Sequence, residues 1–169
     1  PLMRVLRRLN LKRFTALRET LAVSEAKILQ NRPTIINVSV LTQAIASWPN
    51  LVDLKLSRCP LHSPREFFHA VRKCPNLEVL MLVAMGIDDS VMEEICNTVR
   101  SLLQLKDLNL TSNSLTDIGL QQLAKCLQQR TPKLERLQVG KNPGSRQVFI
   151  LAELERNCYC VIPPSNPQE

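Results

Sequence analysis

The sequence predicts an α/β solenoid of about five strand–turn–helix repeats, with parallel strands on a concave face and helices on a convex one. Three observations predict it. Leucine supplies 28 of the 169 residues while aromatics make up only 4 %, so the core must be built from branched aliphatics. Five segments share the pattern L-x-x-L-x-L. Between them, apolar residues recur at helical spacing.

The five segments are Leu6-Arg-Arg-Leu9-Asn-Leu11, Leu51-Val-Asp-Leu54-Lys-Leu56, Leu77-Glu-Val-Leu80-Met-Leu82, Leu105-Lys-Asp-Leu108-Asn-Leu110 and Leu134-Glu-Arg-Leu137-Gln-Val139. They begin 45, 26, 28 and 29 residues apart. The last two leucines of each are two apart and point to one side of a strand, while the residues between and beside them point to the other. Val91, Ile95 and Val99, then Leu120, Leu123 and Leu127, make the apolar stripe of a following helix. One such unit cannot bury its own apolar side, so neighbours must stack.

Repeat four reads LKDLNLTSNSLTDIGLQQLAKCL from Leu105 to Leu127. That motif, with steps of 26 to 29 residues, resembles the ribonuclease-inhibitor-like subclass of the leucine-rich repeat family. The resemblance spans about residues 6 to 155. It implies a horseshoe arc in which a turn asparagine hydrogen-bonds backbone groups between units. Asn113 and Asn142 hold that place, whereas Phe14, Cys59 and Met85 occupy it in the other repeats. It also implies protein binding on the concave face, in hosts such as a ubiquitin-ligase substrate receptor, an innate-immune sensor or a scaffold.

Each element can be justified in order. The first strand falls near 6–11, and the long first step leaves an insertion at about 15–37. Leu17, Leu21, Ile28 and Leu29 lie close to one helical face, and Asn31-Arg32-Pro33 ends that helix. A hidden repeat at Ile35-x-x-Val38-x-Val40 is the alternative, but only 16 residues separate it from Leu51. Strands follow near 51–56, 77–82, 105–110 and 134–139. Trp48-Pro49, Cys74-Pro75 and Thr131-Pro132 stop the intervening helices, and Ser39, Ser63 and Asp89 are candidate N-caps. Ser145 to Arg156 reads as a last helix and Cys158 to Ile162 as a closing segment, completing a repeat domain at 1–162. Residues 163–169 contain three prolines and are expected to form a disordered tail. Because Leu6 already belongs to the pattern and residue 1 is Pro, the chain is expected to be part of a longer one.

The net charge of +7 is local. Residues 1–32 hold eight bases and two acids, giving +6, which leaves 14 bases and 13 acids, or +1, for the rest. Arg4, Arg7, Arg8, Lys12 and Arg13 form a basic patch that suits phosphates or an acidic protein. Interleaved aromatics for base stacking are absent apart from Phe14, so an RNA-associated structural subunit is the second reading. No apolar run reaches the length of a membrane helix, and PLMRVLRR lacks the apolar core of a signal peptide. A cytoplasmic or nuclear location, without membrane contact, is expected.

Enzyme chemistry has little to stand on. Four glycines leave no room for a phosphate-binding loop. His69 and Cys74 are five apart, about 140° round a helix, and cannot form a nucleophile and base pair. The six cysteines lack paired zinc-site spacings except for Cys158-x-Cys160, so no metal or cofactor is expected. Asp88-Asp89 and Glu93-Glu94 stand at a helix start, where carboxylates favour the helix dipole.

The candidate site is therefore the concave face. Its projecting rows are Arg8, Asn10, Lys12; Asp53, Lys55, Ser57; Val79, Met81, Val83; Asp107, Asn109, Thr111; and Arg136, Gln138, Gly140. Val79, Met81 and Val83 make the one apolar row, and an exposed apolar patch rimmed by charge marks a protein contact. Asp53, Lys55, Asp107, Asn109 and Arg136 flank it, either as a rim for a partner or as pairs across adjacent strands.

Overall fold

A computed structural model describes residues 51–58, 61, 63–159 and the strand at 161–162, with Thr42, Ile45 and Ala46 of a preceding helix. The first strand near 6–11, the insertion at 15–37, the basic patch, Phe14, Ser39, Trp48, Cys59 and the tail at 163–169 lie outside the described residues.

Five parallel strands form one sheet in chain order: β1 Asp53–Ser57, β2 Val79–Val83, β3 Asp107–Asn109, β4 Arg136–Gln138 and β5 Val161–Ile162. Four carry the leucine pattern, and β5 comes from the closing segment. The register puts equivalent leucines side by side, Leu54 by Leu80 by Leu108 by Leu137. Each strand starts two residues later than the motif does, because the leading Leu51, Leu77, Leu105 and Leu134 are buried in the turn that precedes it. Pairing begins there all the same. The carbonyls of Val52, Glu78 and Lys106 each accept two successive amides from the next repeat.

Among the described residues from 51 on, four helices connect and flank the strands: α1 Pro64–Val71, α2 Met92–Ser101, α3 Asp117–Gln128 and α4 Val148–Asn157. α1 starts with Pro at its first position and buries Phe67 and Phe68, whose rings meet edge-to-face at 5.2 Å. Ser63 precedes it without a side-chain capping bond. Before α2, Asp88 caps a short 3-10 turn at Asp89–Val91 by accepting from the Ser90 amide. Thr116 caps α3 by accepting from the Ile118 amide. The last helix is in two pieces, a 3-10 turn at Pro143–Arg146 and then α4, separated by the extended Gln147.

Asp89 departs from its expected capping role. Its carboxylate reaches the next repeat instead, accepting from the Thr116 amide at 2.9 Å and from the Thr116 hydroxyl. That crossing needs Gly119, since a Cβ there would lie 2.1 Å from Asp89 Oδ1.

The turn after each strand repeats one backbone device. Arg58, Ala84, Ser112 and Lys141 occupy the same place in four successive units, and all have φ between 53° and 59°. The left-handed residue turns the chain out of the strand, and the amides of Arg58, Ala84 and Ser112 donate to the carbonyls of Val83, Thr111 and Gly140 in the next unit. Asn113 closes the seam below it. Its Nδ2 donates to the Leu82 and Leu110 carbonyls, while its Oδ1 accepts from the Met85 and Ile87 amides. Asn142 does the same one repeat on, donating to Leu110 and Val139 and accepting from Leu115.

On the opposite edge of the repeats a single cation does comparable work. Arg130 is buried, and its guanidinium donates to the carbonyls of Val99, Leu102, Leu105 and Pro132. Burial lowers its pKa. The sequence reading did not single this residue out.

Candidate protein-binding face

Alternation along the strands turns Leu54, Leu56, Leu80, Leu82, Leu108 and Leu137 into the core shared with the helices. The residues between them occupy the other sheet face. Across it run two rows fixed by the register. The first is Asp53, Val79, Asp107 and Arg136, and the second is Lys55, Met81, Asn109 and Gln138. Ser57 and Val83 stand beside one another above them.

Val79, Met81 and Val83 are half-buried, so this aliphatic strip is on the surface with only part of its area covered. Of the flanking polar groups, for which the sequence leaves a rim role and cross-strand pairing both open, Asp107 and Asn109 are largely covered. Asp107 is 3 % and Asn109 is 8 % exposed. Arg136 covers the first, with Nε and a terminal nitrogen each 3.0 Å from Asp107 Oδ2. Gln138 covers the second, accepting from Asn109 Nδ2, while Asn109 Oδ1 accepts from the Thr111 amide. On the other side Lys55 Nζ is 3.0 Å from Asp53 Oδ2. Arg136 and Asp107 thus pair across adjacent strands, whereas Lys55 and Asp53 pair within β1.

The face is consequently neutral within itself, two carboxylates against two cations, with an apolar strip in the middle. Asp53 Oδ1 and Asp107 Oδ1, two strands apart with Val79 between them, are buried and accept no hydrogen bond from the described residues.

The outer surface offers no catalytic arrangement among the described residues. A groove of about 540 Å³ is lined by Arg65, His69, Arg72 and Glu94, with Arg72 paired to Glu94 at 2.9 Å. His69 is exposed and Cys74 buried, so they are not brought together. No group of three or more His, Cys, Asp or Glu among the described residues could hold a metal ion. No helix among them is long and apolar enough to cross a membrane.

Sequence reasoning missed a second apolar surface. Ile118, Val148 and Phe149 are 60 %, 79 % and 74 % exposed at the starts of α3 and α4. The signal was present in Val148-Phe-Ile-Leu-Ala152, since five successive apolar residues are too many for one buried helical stripe.

These features define the class: a parallel strand–turn–helix repeat fold, leucine-rich-repeat-like, that exposes an apolar strip on its open sheet face. The chain is similar to Protein NLRC5 of Ictalurus punctatus, at 29 % identity over 107 residues that make up 63 % of this chain and 6 % of that protein. No family model matches. Among solved structures it is similar to the tropomodulin C-terminal domain of Caenorhabditis elegans, with a TM-score of 0.61 and 16 % identity over 78 % of this chain and 85 % of that one. It is also similar to leiomodin-1 actin-binding site 2, with a TM-score of 0.57 and 18 % identity over 75 % of this chain and 76 % of that one.

Proposed function

We propose that this chain is a noncatalytic protein-interaction module, the recognition or scaffold part of a larger intracellular protein, that binds a protein partner on its open, concave sheet face. The observation that carries the reading is the half-buried aliphatic strip of Val79, Met81 and Val83 between rows whose charges are already paired within the chain. An apolar strip in a polar face gains from being covered, and Met adapts to an irregular partner surface. Asp53, Lys55, Asp107, Asn109 and Arg136 then set register at the rim while contributing little affinity. The ribonuclease-inhibitor-like subclass and about five repeats, spanning a domain at 1–162, remain part of this reading. Actin is the first defined protein to test, because one structural neighbour is an actin-binding site.

The test is capture of bound proteins by this chain and its Met81→Glu variant, in parallel with and without nuclease, alongside co-sedimentation with filamentous actin. Met81→Glu is expected to leave the fold intact and to lose the partner, as the side chain stands on the open face. Leu108→Ala removes a core side chain and is expected to cost about 2 to 5 kcal/mol of stability. Partners unchanged by Met81→Glu but released by nuclease would transfer the function to Arg4, Arg7, Arg8, Lys12 and Arg13 and to RNA.

A further inference from the structure

We propose that Cys96 and Cys126 are an oxidisable thiol pair that closes to a disulfide between α2 and α3 when the folded protein meets hydrogen peroxide. The two residues face each other across packed helices. Cys126 Sγ lies 3.5 Å from the Cys96 carbonyl oxygen, and Cys96 Sγ lies 3.8 Å from the carbonyl of Gln122, one turn before Cys126. Each sulfur therefore lies against the backbone of the other cysteine's helix, from where side-chain rotation can turn one toward the other.

Their surroundings separate them from the other described cysteines. Burial pushes the Cys74 and Cys158 thiols up to about 11, which keeps them protonated and inert. The Cys126 pKa is instead lowered, first by its interaction with the Cys96 thiol and then by the Arg100 and Arg130 cations, against the opposing effect of burial. Cys96 is pushed upward by the same pairing and by burial. A thiol of lowered pKa beside one of raised pKa is a starting point for disulfide formation. Cys96 is 8 % and Cys126 1 % exposed, so a molecule scarcely larger than water would reach Cys126 past Cys96.

In the first step the Cys126 thiolate attacks one peroxide oxygen. The O–O bond breaks, the departing oxygen takes up a proton from solvent and leaves as water, and Cys126 becomes a sulfenic acid. The Cys96 sulfur then attacks the Cys126 sulfur. The S–S bond forms, the S–O bond breaks, and the hydroxyl leaves with the Cys96 proton as a second water. Two thiols are oxidised and one peroxide is reduced to two waters.

The experiment treats the folded chain with hydrogen peroxide, blocks remaining thiols with N-ethylmaleimide in denaturant, and maps unreduced peptides by mass spectrometry. The expected result is a peptide linking Cys96 to Cys126, lighter by two hydrogens than its parts and formed at least about tenfold faster in the folded chain than in urea, since the fold pre-positions the sulfurs. Cys96→Ser and Cys126→Ser are each expected to abolish it. The unsubstituted chain decides the matter even if a variant fails to fold. No such peptide, an equal rate in urea, or oxidation of one cysteine to the sulfinic acid without a link would each overturn the proposal.

Discussion

The turn after β3 and the turn after β2 occupy the same place in successive repeats, yet one is closed by Asn113 and the other holds Met85. Asn113 is buried and engages two carbonyls and two amides, three of the four belonging to the repeat before its own. Met85 is equally buried but brings only an apolar side chain, and its own amide is among those Asn113 satisfies. The difference shows that a repeat's turn is closed from the following repeat. Asn113 thus closes the Met85 turn, while a methionine at 85 offers no such side-chain bonds to the turn before it.

The comparison breaks most sharply at Asn113. Asn113→Leu keeps approximate volume but takes its bonds from the Leu82 carbonyl and the Met85 and Ile87 amides, while the Leu110 carbonyl keeps Asn142, and each buried unsatisfied group costs about 1 to 3 kcal/mol. A loss of at least about 3 kcal/mol is expected in urea unfolding, with partial relief from water entry at the seam. Met85→Leu, by contrast, exchanges one apolar side chain for another and should cost less than about 1.5 kcal/mol. Equal losses for the two substitutions would show that the turns are not closed from the following repeat.

Arg130 extends the logic to the opposite edge. It supplies to the carbonyls of Val99, Leu102 and Leu105 what Asn113 supplies at the strand-to-helix turn, and again most of the groups served, Val99 and Leu102, belong to the preceding repeat. Arg130→Met should cost about 2 to 3 kcal/mol, because hydrogen bonds from a charged donor are lost while the methionine fills part of the space. The loss is expected to fall between those of Asn113→Leu and Met85→Leu, measured by the same urea titration.

The leucine spacing made the parallel strands, the inward leucines and the helix stripes legible, because burial periodicity is written directly in residue type. The aliphatic strip was legible for the same reason. The pairing of Asp107 with Arg136 was open, since alternation tells which face a side chain occupies and not whether its neighbour covers it. Asp89 and Arg130 were illegible. Each acts on backbone groups about one repeat away, Asp89 on Thr116 and Arg130 on Val99, and backbone acceptors carry no residue signature. The row of left-handed residues was hidden more thoroughly, because none of Arg58, Ala84, Ser112 and Lys141 is the glycine that normally announces such a turn.

Ala84 sharpens the comparison at its smallest scale. Its φ of 53° places an L-alanine in the left-handed region, immediately before Met85. A Cβ in that region costs roughly 1 to 2 kcal/mol. Ala84→Gly removes that cost but frees the unfolded chain, which returns about 0.5 to 1 kcal/mol in the other direction. A net gain of about 0.5 kcal/mol is expected by urea unfolding. A loss instead would mean that the alanine methyl contributes packing at this turn beyond its backbone strain, and that the Met85 turn relies on its own side chains as well as on Asn113.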